Sequence, residues 1–243
     1  MGNVNILEKR MIKYEVSVKQ TAKFIMMLLI LSLAYVMPVA TTKKIQQVST
    51  VPKKTLTVLL DAGHGADDSG KVGINQVLEK DINLEIAKYV KEFLENEGIN
   101  VVMTREDDSP LYQSSDRNKK IADMKKRVAL INETKPDIAV SIHQNSYHEE
   151  SIKGAQVFYY THSKEGERAA TVMQEALKVL DINNKRQAKE NSTYYMLKRT
   201  EVPTIIVECG FLSNVEEAEK LKNEEYQDKV AEAICAGIIK WLD

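Results

Sequence analysis

From Leu56 onward, apolar positions fall into short runs and into longer stretches at helical spacing, and the two kinds alternate. Residues 56–60 form an apolar run that ends at Asp61-Ala62-Gly63. Asp81 reads as a helix cap, followed by Ile82, Ile86, Val90, Phe93 and Leu94 at helical spacing, with Gly98 as a stop signal. Residues 99–104 read as a strand, and 122–133 as a helix with Met124, Val128 and Ile131 on one face. Residues 137–142 and 155–160 read as strands, 169–180 as a helix and 204–207 as a buried strand. A last helix carries Val230, Ile234, Ile238 and Trp241. Strands alternating with helices predict an α/β fold, a twisted and mainly parallel sheet flanked by helices.

One apolar run stands apart from this pattern. Residues 24–40, FIMMLLILSLAYVMPVA, follow Lys9, Arg10, Lys13, Lys19 and Lys23 and precede a polar stretch containing Pro52. A basic flank before such a run marks an export signal or a signal anchor. At ~17 residues it is at the short end of what spans a bilayer. Pro38 sits where cleavage behind Ala40 wants a small residue, which favours an uncleaved anchor over a removed signal peptide. The expected organisation is a short basic cytoplasmic segment (1–23), a signal peptide or membrane anchor (24–40), a linker (41–54) and a single catalytic domain (55–243). That body would then work on the outer face of a membrane or in the cell wall.

Charge and cysteine usage narrow the partners. The formal net charge is -1 and no Lys/Arg block is interleaved with aromatics, which argues against nucleic acid. The two cysteines, Cys209 and Cys235, lie in apolar contexts and read as buried thiols rather than a disulfide framework.

Candidate chemistry gathers at strand ends. His64 follows LLDAG and His143 follows DIAVSI, at the carboxyl ends of two expected strands, the end at which open α/β sheets carry their sites. Glu208 ends the strand TIIV, and Glu79 precedes the helix at Asp81. Two imidazoles and a carboxylate make a three-ligand catalytic zinc site, and a second carboxylate beside an attacking water completes a metal-assisted hydrolase. Spacing alone leaves that reading level with a structural one, in which each histidine is simply hydrogen-bonded. His148 and His162 lie in polar segments and read as surface residues.

Longer stretches carry more. LLDAGHGADDSG (59–70), LEKDINLEIA (78–87), VVMTREDD (101–108), RVALIN (127–132), SIHQNS (141–146) and VPTIIVECGFLSNVEEAEKL (202–221) occur in one order along the body. In these stretches the sequence resembles the zinc-dependent N-acetylmuramoyl-L-alanine amidases of bacterial cell-wall metabolism. The resemblance implies an α/β fold with zinc held by His64, Glu79 and His143, and Glu208 as the catalytic carboxylate. It implies hydrolysis of the amide between the lactyl group of N-acetylmuramic acid and L-alanine in peptidoglycan. Ala62 and Ala66 depart from the family, which usually has proline at the first position and commonly glycine at the second.

KKIADMKKRVALIN (119–132), GAQVFYY (154–160) and YQDKVAEAI (226–234) look like the germination-specific branch of that family. That branch processes spore cortex toward muramic-δ-lactam, and it too has an apolar N-terminal segment. A general autolysin or division amidase, a catalytically silent wall-binding module and a peptidase acting within the stem are the alternatives. The silent module is disfavoured because no expected ligand is missing, and the peptidase because HExxH is absent. Around the core, Asp61 either orients His64 or caps its loop, and Asn145 either meets substrate or stabilises a loop. Arg105 either pairs with a stem-peptide carboxylate or with Asp107 or Asp108. With no wall-binding module in view, the anchor or a protein partner would hold the enzyme to its polymer.

Overall fold

The computed structural model describes residue 14, residues 20–23 and 25–29, and residues 55–243. Six strands form one sheet in the order β2-β1-β3-β6-β4-β5. In chain order they are β1 (Thr57–Ala62), β2 (Asn100–Met103), β3 (Ile138–Asn145), β4 (Gln156–Tyr160), β5 (Lys189–Asn191) and β6 (Thr204–Phe211). The helices are α1 (Glu79–Asn96), α2 (Lys119–Thr134), α3 (Lys164–Ala176), α4 (Tyr195–Arg199), α5 (Val215–Lys222) and α6 (Glu224–Leu242). Every pairing is parallel except β4 with β6. The mainly parallel α/β sheet expected from the sequence is therefore present, with β4 and β5 running opposite to the other four strands.

Alternation along each strand sorts the side chains onto two faces. On one face Val58, Leu60, Ile138, Val140, Ile205 and Val207 join the buried stripes of α1, α3 and α6 in the main core. On the other, Leu59 and Ala139 pack with Val128 and Ile131 of α2, while Phe158 and Ile206 pack with Leu197 of α4. Asp61, Ser141, His143 and Glu208 share the parity of this second face, at its carboxyl edge.

Several boundaries differ from the expectation. Helix α1 begins at Glu79, not behind a cap at Asp81; its N-cap Leu78 makes no side-chain bond and Asp81 lies in the first turn. The Glu79 amide bonds the Lys71 carbonyl, which anchors that end instead. Helix α3 starts at Lys164, where the Ser163 hydroxyl accepts from the Gly166 amide, and gives way to a tight turn at Leu177–Val179. The short β5, α4 and α5 had no sequence signal long enough to show a period.

Thr55–Asp243 forms a compact unit of its own. The expected basic segment, most of the apolar run 24–40 and the linker 41–54 lie outside the described residues. Residues 25–29 of that run are helical and exposed, and among the described residues no helix is long and apolar enough to cross a membrane.

Candidate metal centre

Three of the four chemistry-bearing residues come from separate elements and meet at one point. His64 lies in the loop after β1, Glu79 at the start of α1 and His143 near the end of β3. One donor atom from each falls within 4.8 Å of the others. Glu79 Oε1 is 3.2 Å from His64 Nε2 and 3.0 Å from His143 Nδ1, and the two rings meet edge to face at 79°. Donors bound at ~2.0–2.2 Å to a tetrahedral ion lie roughly 3.4 Å apart, so this set fits a divalent metal.

The backbone makes room for the cluster. A Cβ at Gly63 would collide with the His143 ring, and one at Gly70 (φ +68°) would lie 2.6 Å from Glu79 Oε2 and 2.7 Å from His64 Cδ2. Both positions need glycine because side-chain donors occupy the space. His64 and Ala66 also take left-handed backbone, at φ 62° and 50°. Ala66 thus adopts a conformation that glycine reaches without strain, which gives that departure from the family pattern a physical cost.

Each donor is held from behind. His64 Nδ1 is 3.0 Å from Asp68 Oδ2, which leaves Nε2 toward the cluster. Glu79 accepts from the amides of Lys71 (2.7 Å) and Gln144 (3.1 Å). Asn83 donates to the Gly63 carbonyl and accepts from Gln144 Nε2, tying α1 to both loops. Burial opposes charge on Glu79, but the His143 and His64 imidazoles overcome it and hold the carboxyl well below its usual range. Burial also works against protonated His143, and the Glu79 hydrogen bond with the Glu208 charge raises its pKa on balance.

Glu208 sits apart from this tight set. It is buried and is the register partner of His143 on the adjacent strand, and its Oε2 has no hydrogen-bond partner among the described residues. Burial, with Glu79 nearby, pushes its carboxyl up to about 7 even against the pull of His143 and His64. A group with that value takes up and gives back protons near neutrality. Cys209 joins the opposite core face, where burial raises its thiol.

The three further candidates turn out differently from each other. Asp61 makes no hydrogen bond to the His64 ring among the described residues. It accepts from Thr104 (2.7 Å), Ser141 (2.5 Å) and Arg127 Nη1 (2.7 Å). Arg127 in turn donates to the carbonyls of Ala62 (2.7 Å) and His64 (2.6 Å), so Asp61 steadies the loop at one remove. Burial opposes the Asp61 charge, and the Arg127 guanidinium with the Ser141 hydroxyl lowers its pKa to about 2. Arg105 forms no ion pair with Asp107 or Asp108 among the described residues: it is buried and donates to the carbonyls of Ala62, Gly63, Lys80 and Asp107. Asn145 Oδ1 accepts from the Ser146 amide at 2.8 Å, a loop contact, where the register slips after His143. Asp68, Asn83, Arg127 and Gln144 were not anticipated; only Asp68, four residues beyond His64 in a glycine-rich loop, offered a local hint.

A mainly parallel α/β sheet with two imidazoles and two carboxylates gathered at its carboxyl edge and the adjoining helix is the arrangement of a hydrolase with a metal-binding cluster. The model of the N-acetylmuramoyl-L-alanine amidase family matches residues 58–240, and the chain belongs to that family. It is 37% identical over 196 residues to the germination-specific N-acetylmuramoyl-L-alanine amidase of Bacillus subtilis, covering 79% of this chain and 82% of that one. Among solved structures it resembles the CwlD amidase of Clostridioides difficile in complex with the GerS lipoprotein, at TM-score 0.75 and 39% identity, covering 77% of this chain and 98% of that one. The catalytic domain of CwlV from Bacillus (Paenibacillus) polymyxa matches at TM-score 0.68 and 31% identity, over 77% of this chain and 98% of that domain.

Proposed function

We propose that this amidase uses zinc held by His64, Glu79 and His143, with Glu208 as its acid–base residue, to free L-alanine from the lactyl group of N-acetylmuramic acid. Bound there, zinc supplies a Lewis acid and makes water acidic enough to react near neutrality. Glu208 takes the proton of the attacking water at Oε2 and returns it to the departing alanine nitrogen. Asp68 holds His64 in the tautomer that leaves Nε2 free, and Gly63 and Gly70 leave space for the donors. The observation that carries this reading is the buried, unpartnered Oε2 of Glu208 in register with His143. A desolvated carboxylate oxygen without a partner is costly and calls for a ligand or a proton.

Spore cortex is the substrate we infer, supported by the likeness to the germination-specific enzyme of Bacillus subtilis. Action outside the cytoplasm follows from a peptidoglycan substrate and suits the apolar run 24–40 as an export signal or anchor. A protein partner is part of the same reading, since the similar Clostridioides difficile amidase was solved with a lipoprotein. Mass spectrometry of peptidoglycan digested by the full chain with zinc tests the reaction. Stems beginning with free L-alanine and sugars with bare lactyl groups are expected. Cuts inside the stem that leave L-alanine on the sugar would overturn the amidase reading. Cortex cut no faster than vegetative wall would overturn the spore reading.

A further inference from the structure

A row of side chains runs along the carboxyl edge of the sheet past the metal centre. Register places His143 beside Glu208, and Glu208 opposite Gln156 on the antiparallel β4. Directly paired residues point to the same face, so the three side chains form a line. Arg186 continues it. Its Nη1 donates to Gln156 Oε1 at 3.1 Å and its Nε to the Lys153 carbonyl at 2.9 Å. Its guanidinium also lies over the ring of Phe211, 4.8 Å from the centroid, at the end of β6.

These three contacts fix the plane of the guanidinium and leave Nη2 without a partner among the described residues. No carboxylate pairs with Arg186 among them either. The side chain lines an open cavity of about 460 Å³ that Lys153, Lys185 and Asp181 share. One oxygen of Asp181 is already taken by the Asn183 amide. The other side of the metal centre is different: there Lys119 and Lys120 are paired with Asp67 and Asp68. An arginine without a carboxylate partner among the described residues, oriented by Gln156 and Phe211, thus stands on the β4 side of Glu208. A fixed arginine fork is suited to a carboxylate.

The distance suits a peptide. Gln156 is one strand spacing from Glu208 and Phe211 is three residues along the same strand, so a guanidinium that touches both lies on the order of 10 Å from the acid–base residue. Two extended residues span about 7 Å. We propose that Arg186 binds the carboxylate of the second residue of the peptide stem, so that the enzyme favours stems whose glutamate α-carboxyl is free over those where it is amidated. This inference rests on the amidase reading above and names the part of the substrate that the β4 side reads.

Two glycan fragments test it, one bearing L-alanyl-D-glutamate stems and one bearing the same stems as D-isoglutamine. The wild-type full chain is expected to favour the acid by about ten- to a hundredfold in kcat/KM, mainly through KM. Arg186→Gln should lose that preference by slowing on the acid alone, and Arg186→Lys should recover part of it. Equal wild-type rates on the two fragments overturn the subsite and leave the amidase standing. So does an Arg186→Gln variant that slows equally on both, the mark of a merely structural arginine. Cleavage of neither fragment by wild type overturns the amidase reading and the subsite with it.

Discussion

His143 and Glu208 are register partners on adjacent parallel strands, β3 and β6. Parallel pairing puts both side chains on one face of the sheet at its carboxyl edge, so two residues 65 positions apart in sequence, at 143 and 208, become neighbours without any loop having to position them. One faces Glu79 and His64; the other keeps an unpartnered carboxylate oxygen. In the proposed function the metal donor His143 and the proton carrier Glu208 stand on different strands, so a substitution can separate the two roles.

Glu208→Ala should remove the proton carrier and leave the donor cluster whole. The expected result is a loss on the order of 10²–10⁴-fold in turnover with zinc content by atomic absorption unchanged. Turnover within a few-fold of wild type would show that another group moves the proton.

Asp68→Ala leaves His64 Nδ1 without its acceptor at 3.0 Å, so the ring is free to turn and to exchange tautomers. Zinc affinity, read by competition with a chromophoric chelator, should fall about 10–100-fold. Unchanged affinity would mean that packing alone orients the imidazole.

Asp61 carries a prediction for acid stability. Its folded pKa is near 2, below the 3.8 of the free side chain, so its charge stabilises the fold above about pH 4. That contribution, on the order of 2 kcal/mol, fades as pH falls from about 4 to 2, when the carboxyl protonates and the Arg127 pair is lost. Urea denaturation across that range should show a smaller acid-induced loss in Asp61→Asn than in wild type. That variant should also be less stable at neutral pH. Equal pH slopes for the two proteins would contradict the role given to Asp61.

The parts legible in the sequence were those with a period or a long apolar run. Residues 56–60, 137–142 and 204–207 read as strands because they bury both faces, and His64, His143 and Glu208 stood out by following them. Glu79 was legible by position only weakly, since a glutamate before a helix normally reads as a first-turn charge, and the resemblance of the stretch around it singled it out. The antiparallel β4 was invisible as to direction, because alternation does not encode which way a strand runs. The loop-holding bonds of Arg127 and Arg105 were not legible for a related reason. Each is a long side chain that buries its charge against carbonyls of a loop more than 40 residues away in number, as in the bonds from Arg105 to Ala62 and Arg127 to His64. Hydrogen bonds of that range leave no local pattern. The same holds for Gln156 and Arg186, which only strand register brings into line.

X-ray absorption at the zinc edge of the zinc-loaded full chain tests the central claim most directly. The account predicts two imidazoles and one carboxylate oxygen at ~2.0–2.2 Å, one imidazole fewer in His143→Ala, and a spectrum unchanged in Glu208→Gln. A site with fewer than two imidazoles, or one whose zinc leaves when Glu208 is replaced, would contradict it.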